Sequence, residues 1–239
     1  MQECKNTMMK KTVLFAMGLV AVATTHAQNT IESTVSADVV SKYVWRGLEL
    51  GHAAVQPTLG ISYKGFSLTG WGSLGITDAS DSEELDLTAT YTVGGLTVGI
   101  TDYWFNTPET RYFLYDARRT SHVFEAGVGY DFGLLSAHWY TNFAGNDGVN
   151  KNGDRAYSSY VEIVVPFRLG GADWTAQAGA VPFATTSYEA NGFAVTNLSL
   201  RATKIIDITK TFSLPLFAGI TANPCAQKAY FVFGLTLQP

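Results

Sequence analysis

Cysteine is scarce in this chain, and its placement leaves no pair for an internal disulfide. Cys4 precedes an N-terminal apolar run, and Cys225 stands close to the other end of the sequence. We expect Cys4 to be removed with an export signal, which leaves Cys225 alone in the mature chain. A lone thiol in an exported chain is more often a bystander than a nucleophile, so we assign it no role.

Charge and long apolar runs are also scarce. Charged residues make up 15% of the chain, against about a quarter in an ordinary globular protein. The net charge of −4 argues against nucleic acid as a partner. The absence of 18 consecutive apolar residues excludes a transmembrane helix. What is abundant is glycine, with 23 residues, and aromatics at 13%, a composition that fits a β-barrel whose outer face touches lipid.

The N-terminus has the features of a targeting segment. Lys10 and Lys11 precede an apolar run over 13–23, and Thr25-His26-Ala27 provides a small-x-small cleavage site. We predict a signal peptide over 1–27, in which residues 1–7 read as an upstream extension. Residues 28–239 are then one domain, exported through the Sec pathway to the outer membrane of a diderm bacterium.

From residue 31 onward the chain alternates between apolar and polar residues and shows no helical period. Each segment has about the ten residues that cross a bilayer as a tilted strand. We predict a closed, all-β, antiparallel up-and-down transmembrane barrel of about twelve strands, over 34–46, 54–63, 66–77, 83–93, 96–105, 121–131, 134–143, 156–167, 172–181, 194–206, 211–220 and 228–238.

Short and long connections alternate along these segments. Tight turns at 64–65, 94–95, 132–133, 168–171 and 207–210 are mostly glycine-containing, as short hairpins require. Longer connections fall at 47–53, 78–82, 106–120, 144–155, 182–193 and 221–227. This alternation is typical of outer-membrane barrels. It also predicts that both chain ends lie on the periplasmic side, with the short turns.

Alternation alone does not distinguish a membrane barrel from a soluble one, such as a lipocalin, whose apolar face points inward. Two groups of aromatics favour the membrane form, because aromatic residues collect at both membrane interfaces. One group adjoins the short turns, and the other adjoins the long loops: Tyr63, Phe66, Tyr91, Tyr130, Phe167 and Phe212, and Tyr43, Trp45, Trp104 and Tyr157. We therefore predict that Leu87, Ile163, Val165, Leu214, Leu216 and Phe233 face lipid. Asp102 breaks the apolar face, which a bulge or a position at head-group level would explain.

The opposite face of the predicted strands carries charged and polar residues. We expect it to line the lumen with Asp38, Lys42, Arg46, Trp71, Glu84, Asp86, Glu125, His138, Glu162 and Arg201. Arg46 is predicted near the outer mouth, paired with Glu84 or Asp86. Two interpretations remain open: opposed rows of acids and bases that orient solutes in a pore, or a static set of salt bridges that holds the lumen shut.

The first half of the chain resembles the TorF-like family of porins. The resemblance is carried by four stretches within residues 34–105: Ser41-Lys42-Tyr43-Val44-Trp45-Arg46-Gly47, Gln56-Pro57, Gly70-Trp71-Gly72-Ser73 and Glu84-Leu85-Asp86-Leu87. Lys42 stands where that family usually has aspartate, which changes the charge at that point. The resemblance implies an outer-membrane barrel and says more about location and fold than about substrate.

Other candidate chemistry is weaker. Ser136 with His138, and Ser121 with His122, each lack an evident third group for nucleophilic catalysis. The loop 145–154 is rich in Asn and Asp but lacks calcium-loop spacing. The loop 106–120, with Arg111, Arg118 and Arg119 among aromatics, either folds inward to narrow the pore, contacts anionic lipid A, or is simply exposed.

We therefore assign no catalytic residue, metal or cofactor, and expect no enzymatic activity. The predicted function is a porin or passive diffusion channel for small polar solutes. Its predicted partners are outer-membrane lipid and lipopolysaccharide. The alternative is a scaffold barrel with a closed, salt-bridged lumen, and an outer-membrane enzyme ranks last. The sequence leaves the solute and the oligomeric state open.

Overall fold

Twelve antiparallel strands in the described part of the chain pair in sequence order and close into a barrel. The structure is a computed structural model that describes residues 30–77, 81, 83–106, 111–116, 119–210 and 212–239. The predicted signal peptide lies outside these residues. The barrel strands are β1 (Glu32–Val40), β4 (Ala54–Tyr63), β5 (Phe66–Gly75), β6 (Glu83–Val93), β7 (Leu96–Asn106), β8 (His122–Asp131), β9 (Ser136–Gly145), β10 (Ser159–Leu169), β11 (Ala172–Val181), β12 (Ala194–Asp207), β13 (Ser213–Asn223) and β14 (Lys228–Leu237).

The barrel closes where β1 pairs with both β4 and β14. The β1–β4 register runs from Glu32 opposite Ser62 to Val40 opposite Ala54. The β1–β14 seam is shorter and covers only Ala37–Val40. The predicted fold class, an all-β closed antiparallel barrel of twelve strands, is confirmed.

The first strand ends earlier than the sequence predicts. The alternation of 34–46 predicts one continuous strand, but β1 ends at Val40 and the chain bends at Ser41–Lys42. The Ser41 amide donates to the Phe233 carbonyl at 2.8 Å, which completes the seam at this height. The next residues form a separate two-stranded hairpin, β2 (Tyr43–Trp45) and β3 (Leu48–Gly51), which belongs to a different sheet from the barrel.

Turns at one end of the barrel are tight and use positive φ. Lys64 and Gly65 have φ of 48° and 86°, and Gly94 and Gly95 have φ of 54° and 87°. Two successive positive φ values match the twist of a two-residue hairpin. The long connections lie at the opposite end. β1 begins and β14 ends at the short-turn end, which places both ends of the barrel domain there.

The outward faces of the strands are apolar and exposed. Leu87, Ile163 and Phe233 are 46%, 49% and 56% exposed, and Val165 and Leu216 are also exposed, whereas Leu214 is half-buried. The aromatics beside the short turns are exposed as well. Tyr43 and Trp45 are different: the sequence predicts them in the aromatic group beside the long loops, but both belong to the hairpin and are buried or half-buried.

Helix is nearly absent from the residues that the structure describes. One 3-10 turn, Thr186–Tyr188, lies between β11 and β12. No helix in the described ranges is long and apolar enough to cross a membrane.

Candidate functional site

The hairpin of residues 43–51, here called the plug hairpin, lies across the outer part of the lumen. Its contacts reach inward-facing side chains on opposite walls of the barrel, including Glu84 of β6, Glu125 of β8 and Asn223 of β13. A segment can touch all of these strands at once only from inside. The plug hairpin therefore occupies the space that a solute would have to cross.

The tip of the plug hairpin is a two-residue turn at Arg46 and Gly47. Their φ values, 48° and 84°, repeat the turn geometry of the barrel's own tight hairpins. A Cβ on Gly47 would stand 1.8 Å from the Thr196 carbonyl oxygen of β12. Asn223 donates from Nδ2 to the Gly47 carbonyl at 3.0 Å. Glycine is thus required at 47 for both its backbone angle and its close approach to the wall.

Arg46 connects the plug hairpin to the barrel wall through a buried ion pair. Its two terminal nitrogens donate to the two carboxylate oxygens of Glu125, at 2.6 and 2.8 Å. The side chains are only 7% and 3% exposed. The Arg46 Nη1 also donates to the Tyr188 hydroxyl at 2.7 Å, and the Tyr103 hydroxyl donates to Glu125 at 2.9 Å. The fork geometry of arginine makes such a two-point contact possible, whereas lysine could make only one.

Aromatic rings surround this ion pair. The Arg46 guanidinium carbon lies 4.3 Å from the ring centroids of Trp45 and Tyr140, and 4.6 Å from that of Tyr160. Cation–π contacts of this kind are worth about 2 kcal/mol or more when desolvated. Tyr188 stacks on Tyr160 at 5.8 Å and on Trp45 at 5.9 Å. The rings exclude water from the ion pair and so strengthen it.

The charge state of Arg46 follows from its surroundings. Burial acts to lower the pKa of Arg46, but the Glu125 carboxylate and its hydrogen bonds raise it well above its ordinary value. The guanidinium is thus charged at any pH that the protein meets. Removal of either partner would leave the other charge buried and unpaired, at a cost of roughly 3–5 kcal/mol.

A second contact fixes the base of the plug hairpin. The Tyr43 hydroxyl donates to Glu84 Oε2 at 2.9 Å. Its ring packs against Trp71 of β5, with 5.5 Å between ring centroids. Burial, together with the carboxylates of Glu84 and Asp86, raises the pKa of Tyr43 well above its ordinary value. Tyr43 therefore keeps its proton and remains a donor throughout the neutral range.

The loop between β11 and β12 covers the plug hairpin from outside. Tyr188 of its 3-10 turn is buried in one apolar cluster with Tyr140, Tyr160, Val181 and Ala190, and Trp45 and Leu48 pack against that cluster. Burial is the largest cause that raises the pKa of Tyr188, although Arg46 acts in the opposite direction. The plug hairpin is therefore held between the barrel wall and an outer loop.

The ten residues predicted to line the lumen divide into two groups. Eight come from barrel strands and face inward: Asp38, Trp71, Glu84, Asp86, Glu125, His138, Glu162 and Arg201. Arg46 and Lys42 do not come from the wall. Arg46 enters the lumen on the plug hairpin, and Lys42 pairs with Glu49 at the base of that hairpin, where both side chains are about a third exposed.

The predicted partner of Arg46 is wrong. Strict alternation along 34–46 placed it opposite Glu84 or Asp86, but the structure pairs it with Glu125. The error follows from the chain leaving the wall after Val40, which changes both the height and the direction of Arg46. Glu84 instead accepts from Tyr43.

The sequence predicts no site role for the tyrosines that surround Arg46. Tyr103, Tyr140 and Tyr160 lie on the inward faces of β7, β9 and β10, among polar neighbours. A large aromatic that recurs on the polar face of neighbouring strands is a signal that the lumen holds a packed segment. Tyr188 had no such signal, because it lies in a loop.

The lumen is less tightly packed toward the short turns. Inward residues there are polar and half-buried: Ser62, Thr69, Thr92, Thr97, Ser136 and His138. Among them, a cavity of about 10 Å³ lies against Thr97, Gly129, His138 and Tyr140. That volume holds about one water molecule.

Two of the other candidate sites have structural partners. His138 Nε2 and Ser136 Oγ lie 2.9 Å apart on the inward face of β9. In the loop once compared with a calcium site, Asp147 accepts from the amides of Gly148 and Ser158. Among the described residues, no group of three or more His, Cys, Asp or Glu side chains could hold a metal ion.

Comparison with known proteins gives one family. A family model described as a bacterial protein of unknown function, Gcw_chp, matches residues 23–227. No curated protein matches the chain. The family's description names no porin, so the resemblance to TorF-like porins stays a hypothesis. The match covers most of the barrel, and the chain therefore belongs to the bacterial Gcw_chp family, whose function is unknown.

Proposed function

We propose that this chain is an outer-membrane β-barrel protein whose lumen is held shut by its own plug hairpin. The observation that carries the proposal is the Arg46–Glu125 ion pair, which joins the plug hairpin to the wall across a water-excluded lumen. The barrel is then a closed scaffold in the membrane in its resting state.

The outward surface supports a membrane location. Ile61, Ile100, Ile220 and Phe231 are each more than half exposed on outward faces of four different strands. A soluble monomer rarely exposes a continuous apolar surface around its whole circumference. Lipid chains would cover this surface without cost, as they do in other barrels.

Export is part of the proposal. The basic and apolar segment over 10–23 and the cleavage site at 25–27 support secretion through the Sec pathway. The tight turns would then face the periplasm and the long loops the outside. The proposed role requires no chemical step.

The filled outer lumen supports the closed state. Inward side chains at that level are nearly inaccessible, including Tyr160, Thr196 and Asn223 at 1% exposure or less. Several polar groups there are hydrogen-bonded to the plug hairpin or to each other. For example, Asn197 donates to the Tyr160 hydroxyl at 3.1 Å. The contacts that close the lumen stabilise the barrel, whereas an open pore would hydrate these groups.

A second candidate function is a diffusion channel for small polar solutes. One observation favours it: the half of the lumen nearest the short turns is lined by half-buried hydroxyl groups, among them Ser62, Thr69 and Thr97. In that case the plug hairpin would be a lid, and solutes would pass only when it moved.

Conductance in a planar bilayer tests the proposal. The purified wild-type barrel should insert and give no steady current. A variant in which residues 43–51 are replaced by a short Gly-Ser segment should insert equally well and conduct continuously. Insertion is checked separately by the heat-dependent mobility of the folded barrel on a gel. Steady wild-type current would overturn the closed barrel in favour of the diffusion channel.

A further inference from the structure

The segment 111–116 lies on the outward face of the barrel, not in the lumen. Its position is fixed by His122, an outward residue at the start of β8, whose Nε2 donates to the Tyr112 carbonyl at 2.5 Å. The Tyr115 ring stacks on His122 at 4.6 Å, and the Tyr112 ring meets Trp104 edge-on at 5.3 Å. The expectation that this loop might narrow the pore is therefore wrong for the described part. Arg118 lies outside the described residues.

Beneath this segment a charged group interrupts the apolar outer face. Asp102 of β7 stands between Leu87 and Phe124 on the neighbouring strands, without a register shift in β7. Its carboxylate lies 2.8 Å from His122 Nδ1. A carbonyl can only accept, so Nε2 donates to it, and the other ring nitrogen faces the Asp102 carboxylate. The pair satisfies itself, which explains how Asp102 is tolerated on this face without a bulge.

The same segment presents basic and aromatic side chains to its surroundings. Arg111 and Phe113 are exposed, Phe113 to 86%. Arg119 is 73% exposed and donates to Asp116 at 2.9 Å. Arg111, Phe113 and Arg119 are thus exposed on a stretch of chain that packs against outward residues of the barrel wall.

We propose that Arg111, Phe113 and Arg119 together bind the phosphate-bearing head group of an outer-leaflet lipid. Arg111 and Arg119 take the phosphate groups, for which guanidinium forks are well suited. Phe113 enters the upper part of the acyl layer beside them. This inference rests on the proposed function, because it requires the barrel to lie in a membrane with its long loops outward.

The combination of groups distinguishes a lipid from a free phosphate ion. Arginines alone would serve either ligand. The exposed Phe113 adds an apolar group to an outward face on which Leu87 and Ile100 are 46% and 55% exposed, and only a lipid can use such a surface. The Asp102–His122 pair anchors the segment, so its basic residues are held at the boundary between apolar wall and water.

Native mass spectrometry of the detergent-refolded barrel tests this inference. The probes are diphosphorylated lipid A, lipid A lacking both phosphates, and phosphatidylethanolamine. Wild-type protein should retain the diphosphorylated lipid best. A charge-assisted hydrogen bond contributes enough for roughly tenfold in affinity, so Arg111→Gln/Arg119→Gln should bind it at least about tenfold more weakly. The matched control is Arg168→Gln, which removes an exposed arginine that is likewise paired with an aspartate, at the opposite end of the barrel.

The outcomes separate the two proposals. If no variant inserts into any bilayer, the membrane location itself is wrong. If the wild type inserts but binds all three lipids alike, or if the double variant binds as the wild type does, the lipid site is overturned. Phe113→Ala should lower lipid A affinity without affecting insertion. Full displacement of lipid A by millimolar inorganic phosphate would show a phosphate-ion site instead, and would also overturn the inference.

Discussion

Arg46 and Glu125 are 79 positions apart in the sequence, yet two hydrogen bonds of 2.6 and 2.8 Å join them inside the barrel. One belongs to a hairpin that has left the wall, and the other belongs to the wall itself. Their contact holds the plug hairpin against the wall at the outer end of the lumen.

Removal of the Arg46 side chain should open the lumen. Arg46→Ala leaves the Glu125 carboxylate buried without its partner, which costs roughly 3–5 kcal/mol. Departure of the plug hairpin from the lumen relieves this cost, because water can then reach Glu125. We expect bursts of current in a planar bilayer where the wild type has none. Lys42→Gln is the matched control, because it removes a partly exposed hairpin ion pair, worth about 0–1 kcal/mol. Current from both variants alike would contradict a specific role for Arg46.

Alanine variants of two glycines, Gly47 and Gly133, distinguish the effect of a steric clash from the effect of backbone strain. Gly47 and Gly133 have φ of 84° and 89°, but a Cβ at 47 meets the Thr196 carbonyl oxygen at 1.8 Å, whereas one at 133 meets nothing within 4 Å. Both alanine variants bear the left-handed penalty of about 1–2 kcal/mol. Only Gly47→Ala should also displace the plug hairpin. Limited proteolysis should therefore cut 43–51 in Gly47→Ala and spare it in Gly133→Ala, and equal resistance would count against the tip contact.

Alkaline pH should loosen the base of the plug hairpin, but only well above neutrality. The folded pKa of Tyr43 is raised above its ordinary value of 10.0, so its hydrogen bond to Glu84 contributes fully below pH 10 and is lost as the pH rises through the folded pKa. Conductance should be unchanged from pH 7 to 9 and rise only above about pH 10. Tyr43→Phe, which cannot ionise, should lack that rise. A transition between pH 7 and 9 that Tyr43→Phe abolishes would show a pKa lowered below the ordinary value and would contradict this prediction.

A single charged substitution on the outward face tests whether that face contacts lipid. Val165→Arg, if the site lies near the membrane midplane, should cost about 2–4 kcal/mol of refolding free energy in lipid vesicles. Val165→Leu keeps the position apolar and should be nearly neutral. Urea titration of both variants in vesicles gives the comparison. Equal stability with normal assembly would mean that this face does not contact lipid.

The exposed Cys225 reports which end of the barrel faces outward. It lies in the connection between β13 and β14, at the long-loop end. A maleimide carried on a large polymer cannot cross the outer membrane and should label it on intact cells. The control is Cys225→Ser combined with Gly133→Cys, in the turn between β8 and β9 at the short-turn end, which should react only after the outer membrane is opened. The reverse pattern would invert the proposed orientation.

The strands of the barrel wall could be predicted because the alternation of apolar and polar residues in each strand lies within a short stretch of sequence. Nearly every strand lies within a few residues of its predicted segment, since alternation and positive-φ turns are encoded over ten residues or fewer. The outward positions of Ile163 and Phe233 follow from the same alternation.

The plug hairpin was not predictable in the same way. Tyr43 and Trp45 continue the alternation of β1, and an aromatic at a strand end suits a lipid interface as well as it suits the inside of a lumen. The position inside the lumen is decided by contacts of the hairpin with Glu125, Tyr160 and Asn223, which come from strands far along the chain. No local pattern expresses such a contact. The turn at Arg46 and Gly47 was the available signal, because a residue followed by glycine commonly forms a two-residue hairpin.

The short seam between β1 and β14 forms late, because β14 is synthesised after the other strands. Residues 43–51 are made long before Asn223 and before the strand Lys228–Leu237 that pairs with Ala37–Val40. Until that last strand arrives, β1 keeps an open edge and the tip of the plug hairpin lacks one of its anchors. The barrel is thus sealed only by its final residues. A chain cut short near its C-terminus would combine an unpaired sheet edge with an unsecured plug, and leakiness would be a sign of incomplete assembly.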